Sequence, residues 1–129
     1  MSHYLIEKLP GEPIVVGTTF DSWEPIADIP VWAEDAYNFL DTMTEPVTYV
    51  ANLIPSGSWS IDELVRAASG VARGAKPILH HPKLKETLIV TEQRLVTMSA
   101  LGLQSNVFGN VRVKAFTSLE EALTYARGQ

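Results

Sequence analysis

The sequence contains no cysteine, which excludes a disulfide framework, a thiolate nucleophile and a thiolate metal site. It also has no apolar run near the roughly 18 residues that a membrane span requires. The glycine patterns that bind nucleotide phosphates are missing, as is the Gly-x-Ser-x-Gly elbow of many hydrolases. Basic residues are few, with ten Lys and Arg against fifteen Asp and Glu. We therefore expect no membrane insertion, no nucleic-acid partner, no cofactor and no enzymatic activity.

What the chain does contain is the composition of an ordinary globular protein. Hydrophobic residues make up 46% and charged residues 19% of the 129 positions. This length can bury about two-thirds of the unfolded surface without disulfides or metal, so we expect one domain over residues 1–129. The start at Met1 lacks a basic region followed by an apolar core, so we expect no signal peptide and a cytoplasmic location.

Five β-rich runs are predicted to be strands. They are His3–Leu9, Pro13–Phe20, Val47–Ile54, a fourth centred on Leu88–Val90, and Val111–Phe116. The first two are joined by a short connection with proline and glycine, which predicts an antiparallel hairpin. The third is almost uniformly apolar, as expected of a central strand covered on both faces. The fifth exposes Arg112 and Lys114 by alternation, which is typical of an edge strand.

Four helices are predicted between and after these strands. They are Val31–Thr42 following Pro30, Ser60 to about Gly74, Arg94–Gln104, and Ser118–Arg127. The residues expected to face inward are Trp32, Ala36, Phe39, Leu40 and Met43; Ile61, Leu64, Val65, Ala68 and Ala72; Leu95, Met98, Leu101 and Gly102; and Leu119, Ala122, Leu123 and Ala126. Ser60 with Glu63, and Ser118 with Glu121, match the capping box. The order β-β-α-β-α-β-α-β-α predicts an α/β fold with a mixed, mostly parallel five-stranded sheet and four helices.

This order of elements resembles the STAS-like fold of bacterial anti-sigma-factor antagonists, which lipid-carrier domains share. The resemblance runs from Tyr4 to Arg127. It rests on the topology, on the junction Val47–Leu64 and on the closing segment Phe116–Leu123. It implies a bacterial protein with a single STAS-like domain that acts by binding.

The same family carries a phosphorylatable Asp-Ser-Ser-Gly motif at the start of the second helix. The corresponding stretch here is Trp59–Leu64, and matching the final leucines puts Asp62 at the phosphoacceptor position. The motif is therefore absent, although Ser56, Ser58 and Ser60 lie in the same loop. A phosphate switch at that position is not expected, whereas partner binding through this surface is still compatible with the sequence.

Polar and aromatic side chains collect where the strands are predicted to end. Ligands of open α/β sheets bind beyond the carboxyl ends of the strands, and three loops are expected there: Thr18–Trp23, Asn52–Trp59 and Thr91–Gln93. The candidate ligand- or partner-binding residues are Asn52, Ser56, Ser58, Trp59, Ser60, Asp62 and Trp23. An exposed Trp59 would anchor a partner. In the alternative, both tryptophans fold over the sheet edge and the serines form turns and caps.

A pair of adjacent histidines, His80 and His81, raises the question of a metal site. Neighbouring side chains point apart, and zinc needs three or four convergent ligands. His3 begins the antiparallel first strand, so we expect it at the opposite end of the sheet, which leaves Glu86 as the nearest acidic candidate. No metal site is therefore predicted.

Two functions are compatible with the sequence. The first is a non-enzymatic regulatory or scaffolding module that docks a protein partner through the second helix and the loop before it. The second is a small-molecule or lipid binder with a pocket between that loop and the first helix, with Trp32 and Phe39 in its wall. A dry apolar cavity favours the binder, and a solid core beneath a flat apolar patch favours the module. Homodimer formation through an exposed edge strand or helix is left open.

Overall fold

The computed structural model describes residues 3–73, 78–102 and 112–128. The strands are β1 Tyr4–Lys8, β2 Ile14–Thr19, β3 Val47–Asn52, β4 Leu84–Val90 and β5 Val113–Phe116, and the helices are α1 Pro25–Asp41, α2 Ile61–Arg73, α3 Arg94–Gly102 and α4 Leu119–Arg127. Short 3₁₀ turns occur at Ile54–Ser56 and Ile78–His80. The predicted order of elements is confirmed. The predicted positions Gly74, Gln104 and Val111, and the side chains of Ala68, Ala72 and Leu101, lie outside the described part of the chain.

The five strands form one mixed sheet in the order β1-β2-β3-β4-β5. β1 is antiparallel to β2 through a turn in which Gly11 has a φ of 73°, and every other neighbouring pair is parallel. The hairpin, the central position of β3 and the edge position of β5 are all confirmed. Successive crossovers that each advance one strand place α1, α2 and α3 on the same face, as right-handed connections require.

The alternation of side chains along the strands divides the core into layers. Ile14 and Val16 of β2 face α4, while Val15 between them faces α1. On the α4 face, Ala122 and Ala126 are buried, and Leu119 and Leu123 pack against the same cluster. The predicted inner stripe of α4 is thus confirmed. Helix α4 therefore covers one face of the sheet, and α1, α2 and α3 cover the other.

Helix α1 begins earlier than the sequence predicts. Pro25 occupies the first turn, where a proline loses no helical hydrogen bond, and Pro30 lies inside the helix. The prediction that the helix begins after Pro30 was wrong. Pro30 is exposed and has no N–H, so the Ile26 carbonyl loses its helical hydrogen bond. The buried stripe on the other side of the helix is intact. Ala36 and Leu40 in that stripe are buried as predicted.

Three apolar residues that the sequence predicts to face inward on α2 and α3 are exposed. Ile61 is 67% exposed and Val65 59% exposed on α2, and Met98 is 60% exposed on α3. These three predictions of inward-facing residues were wrong, because the described side of each helix that packs inward carries Leu64 and Ala67 on α2 and Val96 and Leu95 on α3. In the described part of the chain, no helix is both long and apolar enough to cross a bilayer.

Candidate functional site

The three loops at the carboxyl ends of β2, β3 and β4 come together, as the sequence predicts. The side chain of Gln93, after β4, holds the β3–α2 loop by two bonds of 2.8 Å: its amide nitrogen donates to the Trp59 carbonyl and its amide oxygen accepts from the Trp59 backbone N–H. The Thr19 hydroxyl at the end of β2 donates to the Ser56 hydroxyl at 2.8 Å. These hydrogen bonds fix the loops relative to one another.

Ser56 is the centre of this rim. Its hydroxyl donates to the Leu53 carbonyl at 2.7 Å and accepts from Thr19 and from the Trp59 indole N–H, the latter at 3.2 Å. All the hydrogen-bonding capacity of one hydroxyl is thus used inside the protein. Ser56 positions the loop and has no lone pair or proton left for a ligand.

Both rim tryptophans are packed inside the protein. Trp23 and Trp59 are each 7% exposed, and their rings stack with centroids 6.0 Å apart. Tyr4 meets Trp23 edge-on, with ring centroids 5.8 Å apart. Trp59 is therefore not an exposed anchor, and the structure corresponds to the alternative in which the tryptophans cover the sheet edge. The Trp23 indole nitrogen is buried without a hydrogen-bond partner.

The remaining candidate residues divide between structural and accessible positions. Asn52 accepts a long hydrogen bond of 3.4 Å from the Ile54 backbone N–H. Ser60 caps α2: its hydroxyl accepts from the Glu63 N–H at 3.2 Å, while the Glu63 carboxylate accepts from the Ser60 N–H at 2.7 Å. The exposed carboxylate of Asp62 pairs with Arg66 at 3.1 Å. Ser58 is exposed in the loop before this cap.

A cavity of about 210 Å³ opens at the same rim. Its lining residues come from the loops after β3 and β4: Ile54, Gly57, Ser58, Thr91, Glu92 and Gln93. Gly57 has a φ of 77°, a backbone conformation that favours glycine, and so bends the loop around this opening. Mixed polar and apolar groups, with Glu92 exposed, give a site suited to a small polar ligand.

This cavity does not lie beside α1, where the sequence predicts a ligand pocket. Trp32 packs into the core, where its indole N–H donates to the Tyr49 hydroxyl at 3.0 Å, and Phe39 packs against the same cluster. Burial raises the pKa of Tyr49, which keeps its hydroxyl protonated. The expectation that Trp32 and Phe39 line a ligand pocket is therefore not met by the described cavity.

An exposed apolar surface lies on the two helices next to the rim. We call Ile61, Val65 and Met98 the α2–α3 surface. Ile61 and Val65 are four residues apart and so share one side of α2, and α3 is the neighbour of α2 on the same face of the sheet. No signal in the sequence marks this surface, because the five apolar positions predicted on α2 cover an arc of about 100°, the width of an ordinary buried stripe.

His3 and His81 lie apart, and each has its own local partner. The His81 side chain is 1% exposed; its Nε2 is 2.7 Å from the Asp41 carboxylate, and its Nδ1 accepts from the Lys83 N–H at 2.9 Å. An acceptor at Nδ1 places the proton on Nε2, which donates to Asp41. His3 is at the opposite end of the sheet, as predicted, 2.7 Å from Asp28. Among the described residues, no group of three or more histidines and carboxylates could hold a metal ion.

Comparison with known proteins adds no relative. No family model, no curated protein and no solved structure matches this chain.

Proposed function

We propose that the protein is a non-enzymatic regulatory or scaffolding interaction module that docks a protein partner on the α2–α3 surface. The observation that carries the proposal is the exposure of three large apolar side chains, between 59% and 67%, on two adjacent helices. Burying such side chains against a partner contributes about 1.5 to 3 kcal/mol each when the burial is complete. Ile61 and Val65 share one side of α2, and exposed apolar side chains that lie together are typical of protein-interaction sites.

The chemistry of this surface indicates a partner with an apolar face. The charges beside it are of both signs, since Asp62 pairs with Arg66 on the same helix. They therefore favour neither a strongly basic nor a strongly acidic partner. Ile61 and Val65 are one helical turn apart, a spacing that matches the apolar stripe of an amphipathic helix laid against them.

We assign the module to the STAS-like type as part of the same proposal. The order β-β-α-β-α-β-α-β-α and the capped start of α2 after the β3 loop support the assignment. A bacterial source and a cytoplasmic location belong to this proposal, as does a single domain over residues 1–129. Asp62 stands where that family has its phosphoacceptor serine, so the proposed docking does not depend on phosphorylation there.

Binding of a small molecule is the second candidate, and the rim cavity favours it. Its volume of about 210 Å³ is below the roughly 300 Å³ at which typical ligand pockets begin. Two of the residues that line it are also engaged within the protein, Gln93 with Trp59 and Thr91 with the backbone of Gln93. A ligand here would be small and polar, which gives no support to lipid binding.

Site-specific photo-crosslinking in the source cells tests the docking proposal. A photoreactive residue replaces Met98, and adducts are recovered with and without Ile61→Asp and Val65→Asp. The matched control is Ile26→Asp with Val31→Asp on α1, since these residues are of the same types and are 51% and 55% exposed. We expect one protein adduct that the α2 pair abolishes and the α1 pair leaves unchanged, and that the purified partner reproduces.

The crosslinking result, followed by native mass spectrometry, separates the two candidate functions. An adduct insensitive to the α2 pair, or no adduct at all, rejects the α2–α3 surface as a docking site. Native mass spectrometry of protein purified gently from its source then tests whether the protein binds a small molecule. A stoichiometric extra mass of a small molecule, lost on Gly57→Trp in the cavity loop, would establish the ligand-binding function instead.

A further inference from the structure

The free edge of β1 has the geometry of a pairing surface. In the described part of the chain, β1 is the outermost strand, with β2 on its other side. Backbone bonds run from the Phe20 N–H to the His3 carbonyl and from the Leu9 N–H to the Ile14 carbonyl, each at 2.9 Å. In an antiparallel pair of strands, every second residue bonds to the partner strand, and the residues between point their N–H and C=O groups away from it. Leu5 and Glu7, which lie between His3 and Leu9 at this spacing, therefore also bond to β2. The N–H and C=O groups of Tyr4, Ile6 and Lys8 therefore point outward.

We propose that β1 pairs antiparallel with β1 of a second copy, so that two five-stranded sheets become one ten-stranded sheet. A two-fold axis at Ile6 places Tyr4 opposite Lys8 of the other copy and Ile6 opposite its own equivalent. All three outward-facing residues then meet outward-facing residues, which makes the edge self-complementary. An isologous contact of this kind closes into a dimer and does not extend further through the same edge.

Side-chain charge also favours this register. Glu7 lies opposite Leu5 of the second copy, and Lys8 lies opposite Tyr4, so no like charges stand directly across the ladder. Shifting the register by two residues toward the end of β1 would place Glu7 directly against its own equivalent, a repulsive pair. Leu5, which is 48% exposed, would pack beside its equivalent on the sheet face that α4 leaves open.

The other edge of the sheet lacks this self-complementarity. β5 has four residues, and its exposed Lys114 would lie beside positive charge of a second copy. β1 also lies away from the α2–α3 surface, since α2 and α3 follow β3 and β4. The dimer proposal therefore does not depend on the docking proposal.

Amide hydrogen exchange across a concentration series, beside sedimentation equilibrium, tests the dimer. Where about nine-tenths of the chain is dimeric, the amides of Tyr4, Ile6 and Lys8 should exchange about tenfold more slowly than in the monomer, because only the monomer exposes them. The amides of Leu5 and Glu7 serve as internal controls, since β2 protects them in both states. A chain that stays monomeric at millimolar concentration overturns the proposal, as does a dimer without this alternating protection.

A pair of variants at Lys8 isolates the outward N–H. Lys8→Pro removes that N–H and keeps the bonds to β2, because proline is tolerated on an edge strand where the N–H it replaces faces solvent. Lys8→Ala removes the same side chain and keeps the N–H. We expect Lys8→Pro to raise the dimer dissociation constant about tenfold or more relative to Lys8→Ala, because the bond occurs twice in the dimer. Equal dissociation constants would overturn the proposal, and if Lys8→Pro does not fold, the exchange pattern decides.

Discussion

A Cβ atom placed on Gly17 would lie 1.8 Å from the hydroxyl oxygen of Tyr49 and 2.6 Å from the ring carbon that carries it. Tyr49 is 2% exposed, and its hydroxyl accepts the indole N–H of Trp32. The ring therefore cannot swing away without breaking this bond and disturbing the layer between the sheet and α1. The missing side chain of Gly17 is what allows a tyrosine to lie across β2.

We predict that Gly17→Ala lowers the free energy of unfolding by about 1 to 3 kcal/mol, the usual cost of overpacking a core. Urea denaturation followed by circular dichroism measures the change. Gly128→Ala is the matched control: its Cβ would meet its nearest atom, a backbone oxygen, at 3.6 Å, an ordinary contact. Equal stability of the two variants would show that Tyr49 adjusts freely, contrary to this account.

His81 shows what residue type alone does not reveal. The sequence places two histidines side by side, and only the structure shows that His80 is exposed while His81 is buried beneath Tyr37, with ring centroids 4.5 Å apart. The same limit applied to Trp59, whose burial depends on Trp23 from another loop. Pairings between distant segments decide such cases, and no local pattern records them.

At the scale of elements, local signals were the reliable ones. The capping box at Ser60 was predicted from four consecutive residues, because its hydrogen bonds form within one turn. The start of α1 was not predicted, because Pro25 and Pro30 are both acceptable first residues of a helix. The exposure of Val65 was not predicted either, because periodicity locates an apolar stripe on a helix but does not show which part of that stripe its neighbours cover.

We predict that Ser60→Ala lowers the free energy of unfolding by about 1 kcal/mol, the typical value of a lost N-cap. The Glu63 N–H loses its acceptor, and the first turn of α2 loosens. Urea denaturation of the variant measures this effect. Ser58→Ala two residues earlier, at an exposed position outside the capping box, is the control and should change the stability little. A Ser60→Ala variant as stable as this control would contradict the prediction.

At the scale of the whole molecule, the two sides of the sheet are covered unequally. Three helices cover one face, and α4 is the described helix that covers the other, over β3, β4 and β5. Arg127 at its end bonds to Glu12 in the first hairpin at 2.7 Å, a bond that lowers the pKa of Glu12. The lowered pKa means that this pair stabilises the fold at neutral pH and stops doing so as the pH falls through the pKa of the folded state.

Removal of α4 tests how far the fold depends on it. Ending the chain after Thr117 would expose the buried cluster on that face, formed by Ile14, Val16, Val50, Leu88 and Val90. Burying an aliphatic side chain contributes about 1.5 to 3 kcal/mol, so losing this cover removes as much as the whole margin of a typical domain, about 5 to 15 kcal/mol. We therefore expect the shortened chain to bind the dye ANS and to lose both its near-ultraviolet circular dichroism and its cooperative unfolding transition. The control is Arg127→Gln, which removes only the exposed pair with Glu12 and should keep the cooperative transition. A shortened chain that still unfolds cooperatively would show that β1 to β5 and the first three helices form a stable unit without their second cover.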